Sequence, residues 1–457
     1  MPSSVRTVLV AVVVLALAGC GDGADSAPPD ETVESTGADA DTATAAAAVP
    51  ATELFDTSTV HDIAVEFDDE DYDAMIEAYR ATGDKEWIEA DVTVNGTLIE
   101  QAGLRLKGNS SLSGLGGEGQ GGPGGGAGPI PGLGGATAEE PERLPWLVRF
   151  DEFVEGQDHD GLTELVIRSN STATALNEAV ALDLLGQAGL ATQRSTHARL
   201  TVNGSDPALR LVIENPNDEW DARAFENPGI LYKAEAGGDY SYRGEDPEAY
   251  DEVFDQETRT DEPDLGPLTD FLVFINDSDD QTFRDELGEH LDINAFVHYL
   301  AFQDLIDNFD DIDGPGNNSY LRWDETTEQF TVVAWDHNLA FGGGGNFAGQ
   351  PGGFELPEGF ELPEGLDLPD GVEPPGGITA SFGGNVLTER FRADPSLVQL
   401  IDEAAADLER RLITSGAATD ALVRRSEVLL AEATELVPAS TIRQETRAIA
   451  EYFSADG

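Results

Sequence analysis

The chain of 457 residues carries 89 acidic against 25 basic side chains, a formal net charge of −64, and such a surface repels nucleic-acid phosphates and anionic lipid heads, which argues against a nucleic-acid partner. Acidic, lysine-poor surfaces are those of proteins in concentrated salt, where screening removes self-repulsion, so a halophilic source is expected. The single cysteine, Cys20, excludes disulfides and a cysteine nucleophile in the folded part, and with only Lys85, Lys107 and Lys233 present, any ammonium group for phosphate comes from three positions.

At the N-terminus Arg6 precedes an apolar run, Val8 to Ala18, that ends in Leu17-Ala18-Gly19-Cys20. The run is too short to span a bilayer and suits a signal peptide, residues 1–20. Small residues before a lone cysteine form the bacterial lipobox pattern, so a diacylglycerol on Cys20 is expected to anchor an extracytoplasmic protein to the membrane. Residues 21–56, rich in Ala, Thr, Asp, Glu and Pro, read as an acidic disordered tether, and 57–457 as the folded domain.

In that domain His61 to Phe67 alternates like a strand and Asp71 to Tyr79 reads as a short helix. Trp87 to Val94 and Thr97 to Leu106 form a hairpin turning at Asn95-Gly96. A glycine-dense stretch, about 114–137, cannot bury a core and reads as a loop. Leu144 to Phe150 and Leu162 to Arg168 follow as strands, and Ala175 to Ala188 as a helix closed by Gly189. Ala198 to Val202 and Ala208 to Glu214 flank a second Asn-Gly turn at Asn203-Gly204. An irregular acidic stretch leads to a helix from Asp292 to about Ile306; a second low-complexity loop occupies about 342–377, and helices run from Asn385 to Phe453.

The segment from Asp304 to Gly342 carries the most chemistry. Ser319 to Trp323 and Phe330 to Trp335 are strand-like around a polar turn. In an antiparallel pair the start of one strand lies beside the end of the next, so Asn318 and Asp336 are expected to meet there, near the acidic loop Asp307 to Asp313. An amide oxygen with carboxylates is the hard-oxygen environment that Mg²⁺ or Mn²⁺ prefers. Phosphoryl transfer needs such a metal and one more carboxylate to orient the incoming hydroxyl.

Four motifs in order resemble the spore coat protein H (CotH) kinase-like family: Gly103-Leu-Arg-Leu-Lys-Gly-Asn-Ser-Ser111, Val202-Asn-Gly with Leu211-Val-Ile-Glu214, Leu231-Tyr-Lys233, and the Asp/Asn-Asn-x-Tyr/Trp-Asp block. The resemblance implies an α+β, atypical protein-kinase-like fold of two lobes, with mixed and antiparallel sheets and a helical C-terminal part. It implies a kinase that transfers the γ-phosphate of ATP to Ser or Thr of proteins at the cell surface. By the same resemblance Asp310 is the catalytic acid, Asn318 and Asp336 are metal ligands, and Glu214 lines the adenine pocket. Glu178 holds a phosphate-binding basic residue, for which Lys107, Arg149 and Lys233 compete. Asp307, Asp311 and Asp313 are alternatives to Asp310. Asn177 stands where the family commonly has Arg, and Asn338 where an acid often follows the metal ligand. The other reading is an inactive kinase-like module for surface adhesion or a structural envelope protein.

Overall fold

A computed structural model describes residues 53–455 except 109, 116–135, 236–237, 239, 252, 315–316 and 343–384. The expected signal peptide with Cys20, the tether up to residue 52 and most of both low-complexity loops lie outside the described residues.

The first sheet combines segments of apolar–polar alternation, such as His61–Phe67, with segments buried on both faces, such as Glu164–Ile167. Strands β1 (His61–Phe67), β2 (Ile88–Val94), β3 (Thr97–Leu106), β4 (Trp146–Arg149), β5 (Glu164–Ile167), β6 (Ser195–Val202) and β7 (Ala208–Glu214) close into a barrel in the order β1-β2-β3-β4-β5-β7-β6. Adjacent strands are antiparallel except β1 and β6, whose parallel pairing from His61–Ala198 to Val65–Val202 seals it. Both Asn-Gly turns form as the sequence predicts: φ is 48° and 86° at Asn95 and Gly96, and 46° and 71° at Asn203 and Gly204. The positive φ that a tight hairpin turn demands is cheap for these two residue types.

Helix α1 (Asp69–Thr82) starts at Asp68, whose side chain accepts from the Glu70 N–H, and stops at Gly83. It lays Tyr72, Met75, Ile76 and Tyr79 on the core inside the barrel, with Ile63, Val65, Leu104, Trp146, Val148, Leu165 and Val212. The neighbours of those strand residues point the other way. Leu147, Val166, Leu211 and Ile213 belong to a second core with helix α2 (Leu176–Ala188), because successive side chains on a strand face opposite sides.

Between Glu214 and Asp292, read from sequence as irregular, the chain instead forms α3 (Asp218–Ala224), β8 (Gly229–Ala234), β9 (Phe254–Gln256), α4 (Gly266–Asp277) and α5 (Asp280–His290). Part of the acid that obscures these elements caps them. Asp279 accepts from the Thr282 N–H at 2.8 Å, and an acceptor at a helix start satisfies an otherwise orphaned donor.

Helix α6 (Ile293–Leu305) follows, then β10 (Ser319–Asp324) and β11 (Phe330–Ala334), and a four-stranded antiparallel sheet runs β11-β10-β8-β9. Helices α7 (Val386–Ala393), α8 (Pro395–Leu408), α9 (Ala417–Glu432) and α10 (Ala439–Ala455) complete the C-terminal part, with a π turn at Glu409–Thr414 between α8 and α9. Arg425 of α9 is 3% exposed and holds Asp183 of α2 at 2.9 and 2.7 Å. The fold is α+β, with a mixed barrel, an antiparallel sheet and a helical C-terminal part. Among the described residues no helix is long and apolar enough to cross a membrane.

Candidate active site

The loop between α6 and β10 is drawn tight around Asp310. The Asn318 side-chain amide donates to Asp310 Oδ2 at 2.9 Å and to the Asp310 carbonyl at 2.7 Å, while the Asn318 N–H donates to the Asp311 carbonyl at 3.1 Å. Gly314 is required at the crossing: a Cβ there would lie 2.3 Å from the Phe309 oxygen and 2.5 Å from the Asp310 Cα. The other acids of the loop face elsewhere. Asp311 is buried and accepts from the Asp313 N–H at 3.0 Å; burial, then the neighbouring Asp313, pushes it up to about 7. Asp313 meets Thr388 and Arg392, and Asp307 is exposed.

At the far end of the hairpin Ser319 pairs with Ala334, so Asn318 and Asp336 leave the sheet at the same end. Asp336 is taken by a cation that the sequence reading did not name. Arg168, the residue after β5, holds Asp336 with one nitrogen and reaches Glu178 of α2 at 3.0 and 3.1 Å. Burial alone would depress Arg168, but the Asp336 and Glu178 carboxylates hold it above its ordinary value. Burial, and behind it the like charge of Asp336, push Glu178 upward. The cation that Glu178 holds is therefore Arg168, while Lys107, Arg149 and Lys233 have other partners.

Lys107 Nζ donates to Asn215 Oδ1 at 2.8 Å, Asn215 donates to Glu164 at 2.5 Å, and Glu164 pairs with Arg149. Lys233 pairs with Glu235 and stands opposite Tyr320 in the sheet. Both oxygens of Glu214 are engaged by Arg194 and Arg223, at 2.8 and 2.6 Å. The Lys107 Nζ and the Arg168 Cζ each lie 5.6 Å from the centre of the Trp335 ring, within range of a cation–π contact.

The chain's three lysines share one neighbourhood. Lys85 and Lys107 are each pushed down to about 8, first by burial and further by Lys233 and Arg105, with nearby carboxylates opposing. Tyr320 packs edge-on against Trp335 at 5.7 Å, and its buried hydroxyl has no partner among the described residues. The basic groups are interleaved with Glu164, Glu235, Asp255 and Glu257, so an anion entering here would compete with carboxylates already paired to Arg149 and Lys233.

Asp307, Asn317 and Asp336 have left-handed φ of 52°, 50° and 57°, a conformation that Asn and Asp reach at little cost because the short polar side chain bonds locally. Asn177 donates to the Asn338 carbonyl, so the two departures from the family pattern touch. His337 is buried, and burial pushes it down to about 4, which keeps it neutral.

Among the described residues no three His, Cys, Asp or Glu side chains converge as a metal-binding group. The residues around Asp336 nonetheless suit a hard divalent cation. Asp336, whose carboxylate Arg168 also holds, offers oxygen, and so does the buried Asn308, whose amide nitrogen faces the Asp336 carbonyl at 3.5 Å and whose Oδ1 has no partner among the described residues. Asn308 is a second residue that the sequence reading did not single out.

This chain belongs to the family described as CotH kinase protein, whose model matches residues 119–437, more than half of the chain. It is similar to the inner spore coat protein H of Bacillus subtilis (strain 168), with 23% identity over 168 residues, 36% of this chain and 45% of that protein. The match thus spans less than half of that relative's length.

Proposed function

We propose that the chain is a two-lobed, kinase-like enzyme that transfers the γ-phosphate of ATP to Ser or Thr hydroxyls of surface or secreted proteins, and that a lipid on Cys20 anchors it outside the cytoplasmic membrane. One observation carries this reading: Lys107 and Arg168 lie over the one Trp335 ring, next to Asp336, at the end of the hairpin where Asn318 holds Asp310. The barrel forms one lobe, and the four-stranded sheet with the C-terminal helices forms the other.

In this reading Lys107, Lys233 and Arg168 bind and orient phosphate oxygens, and Glu178 holds Arg168 in place. Asp310, fixed by Asn318, takes the proton of the incoming hydroxyl as its oxygen bonds to phosphorus and the bond to the β-phosphate oxygen breaks. Asp336, Asn318 and Asn308 supply the oxygens for Mg²⁺ or Mn²⁺; the cation, when bound, offsets the negative charge of the phosphates.

The test is label transfer from ATP to a protein acceptor with Mg²⁺ or Mn²⁺, run with the wild type and with Asp310→Asn. The variant is expected to lose transfer by about 10²-fold or more while Mg²⁺–ATP still raises its melting temperature. Nucleotide affinity is expected to fall as pH passes about 8, where Lys107 loses its proton. Equal transfer by both proteins would remove Asp310 from its role. Stabilisation by nucleotide without any transfer would favour a binding module instead.

A further inference from the structure

Helix α10 lies beyond the residues that the family model matches. Its Glu445 carboxylate accepts from the Ala173 N–H at 3.0 Å, from the Thr174 N–H at 3.0 Å and from the Thr174 hydroxyl. These residues lead directly into α2, whose first N–H groups are taken by the same loop: the Leu176 N–H donates to the Thr174 hydroxyl at 3.2 Å and the Ala175 N–H to the Thr172 hydroxyl at 3.0 Å. Ala175 at its N-cap has a left-handed φ of 51° and makes no side-chain cap bond. Glu178, which holds Arg168, lies in the first turn that follows.

The far end of α10 grips the other carboxylate's segment. Tyr452 and Phe453 close edge-on over Phe341 at 5.4 and 5.2 Å, shortly after Asp336, and the Tyr452 hydroxyl donates to the Leu305 carbonyl at 3.0 Å. The two gripped segments are also joined to each other: the Ser171 hydroxyl donates to the Asn338 carbonyl at 2.6 Å.

We infer that α10 is a brace that sets Glu178 and Asp336 about Arg168, with Glu445 as a positioning residue for nucleotide binding; the inference rests on the reading above. A rigid element touching both carboxylate segments can hold the guanidinium where phosphate oxygens need it, and an error of about 1 Å in such a group is costly.

A matched control exists in the same helical part. Glu432 of α9 accepts from the Thr59 hydroxyl and the Val60 N–H, both at 2.8 Å, at the start of the barrel and outside the site. The experiment compares Glu445→Ala, Glu445→Gln and Glu432→Ala for melting temperature, affinity for the Mg²⁺ complex of β,γ-imido-ATP, and hydrogen exchange over 172–180. Glu445→Ala is expected to bind the analogue roughly tenfold more weakly and to exchange faster over 172–180. Glu445→Gln, which keeps one acceptor oxygen, falls between it and the wild type. Glu432→Ala is expected to melt earlier with affinity and exchange unchanged. Wild-type affinity in Glu445→Ala, or an equal loss in Glu432→Ala, would overturn the brace. If the wild type itself binds no nucleotide, the kinase reading fails, and exchange alone decides: faster in Glu445→Ala only sustains the brace, and unchanged refutes it.

Discussion

Arg168 stands between two carboxylates, the buried Glu178 and the partly buried Asp336. Without the guanidinium, Glu178 and Asp336 would face each other with little water to share the charge. Arg168→Ala is therefore expected to lose roughly 3–5 kcal/mol of stability, the scale of a buried pair stripped of one partner. Arg168→Lys restores the charge without the planar fork and should fall between. Urea unfolding measures both, and an unchanged midpoint for Arg168→Ala would mean that the pairs contribute nothing to the fold. From sequence, Arg168 passes for the polar end of a strand, and Lys107, Arg149 and Lys233 stand out as the candidate phosphate ligands. The usable signal is subtler: Glu164–Ile167 is buried throughout, so a cation at its exit has no water to face and needs an acid, which Glu178 supplies.

At the level of elements, the loop carrying Asp310 depends on the missing side chain of Gly314. The atoms that an added methyl would meet are backbone, which cannot swing aside. Gly314→Ala is expected to cost about 1–3 kcal/mol and to break the Asp310–Asn318 contact, weakening phosphate transfer more than nucleotide binding. Thermal unfolding together with transfer kinetics checks this; wild-type transfer would show that the loop can relax. Both barrel hairpins were readable because Asn-Gly names its own turn, and α2 because Gly189 ends it with φ 84°. The stretch from Asp218 to His290 was not readable, since its acids mask short strands such as Gly229–Ala234 whose partners come from distant parts of the chain. Pairing with β10 and β9, rather than local preference, makes β8 a strand. Hairpin geometry foretells that Asn318 and Asp336 leave the sheet at one end, whereas the hold of Arg168 on Asp336 needs the barrel and the sheet to be seen side by side.

On the scale of the whole molecule, a net charge of −64 sets most of the surface against itself. Raising KCl from about 0.1 M to 1 M shortens the screening length from about 10 Å to 3 Å. The melting temperature is expected to climb across that range, as calorimetry can record, and a flat or falling curve would show that the repulsion is already compensated locally. The barrel has a different kind of history. Since β1 pairs with β6 and β5 with β7, the hairpin Ser195–Glu214 works as a keystone closing two seams in one step. A nascent chain that has not yet reached Glu214 therefore exposes two bare strand edges, and the slow search for such distant partners makes this the stage at which the protein most needs protection from its own copies.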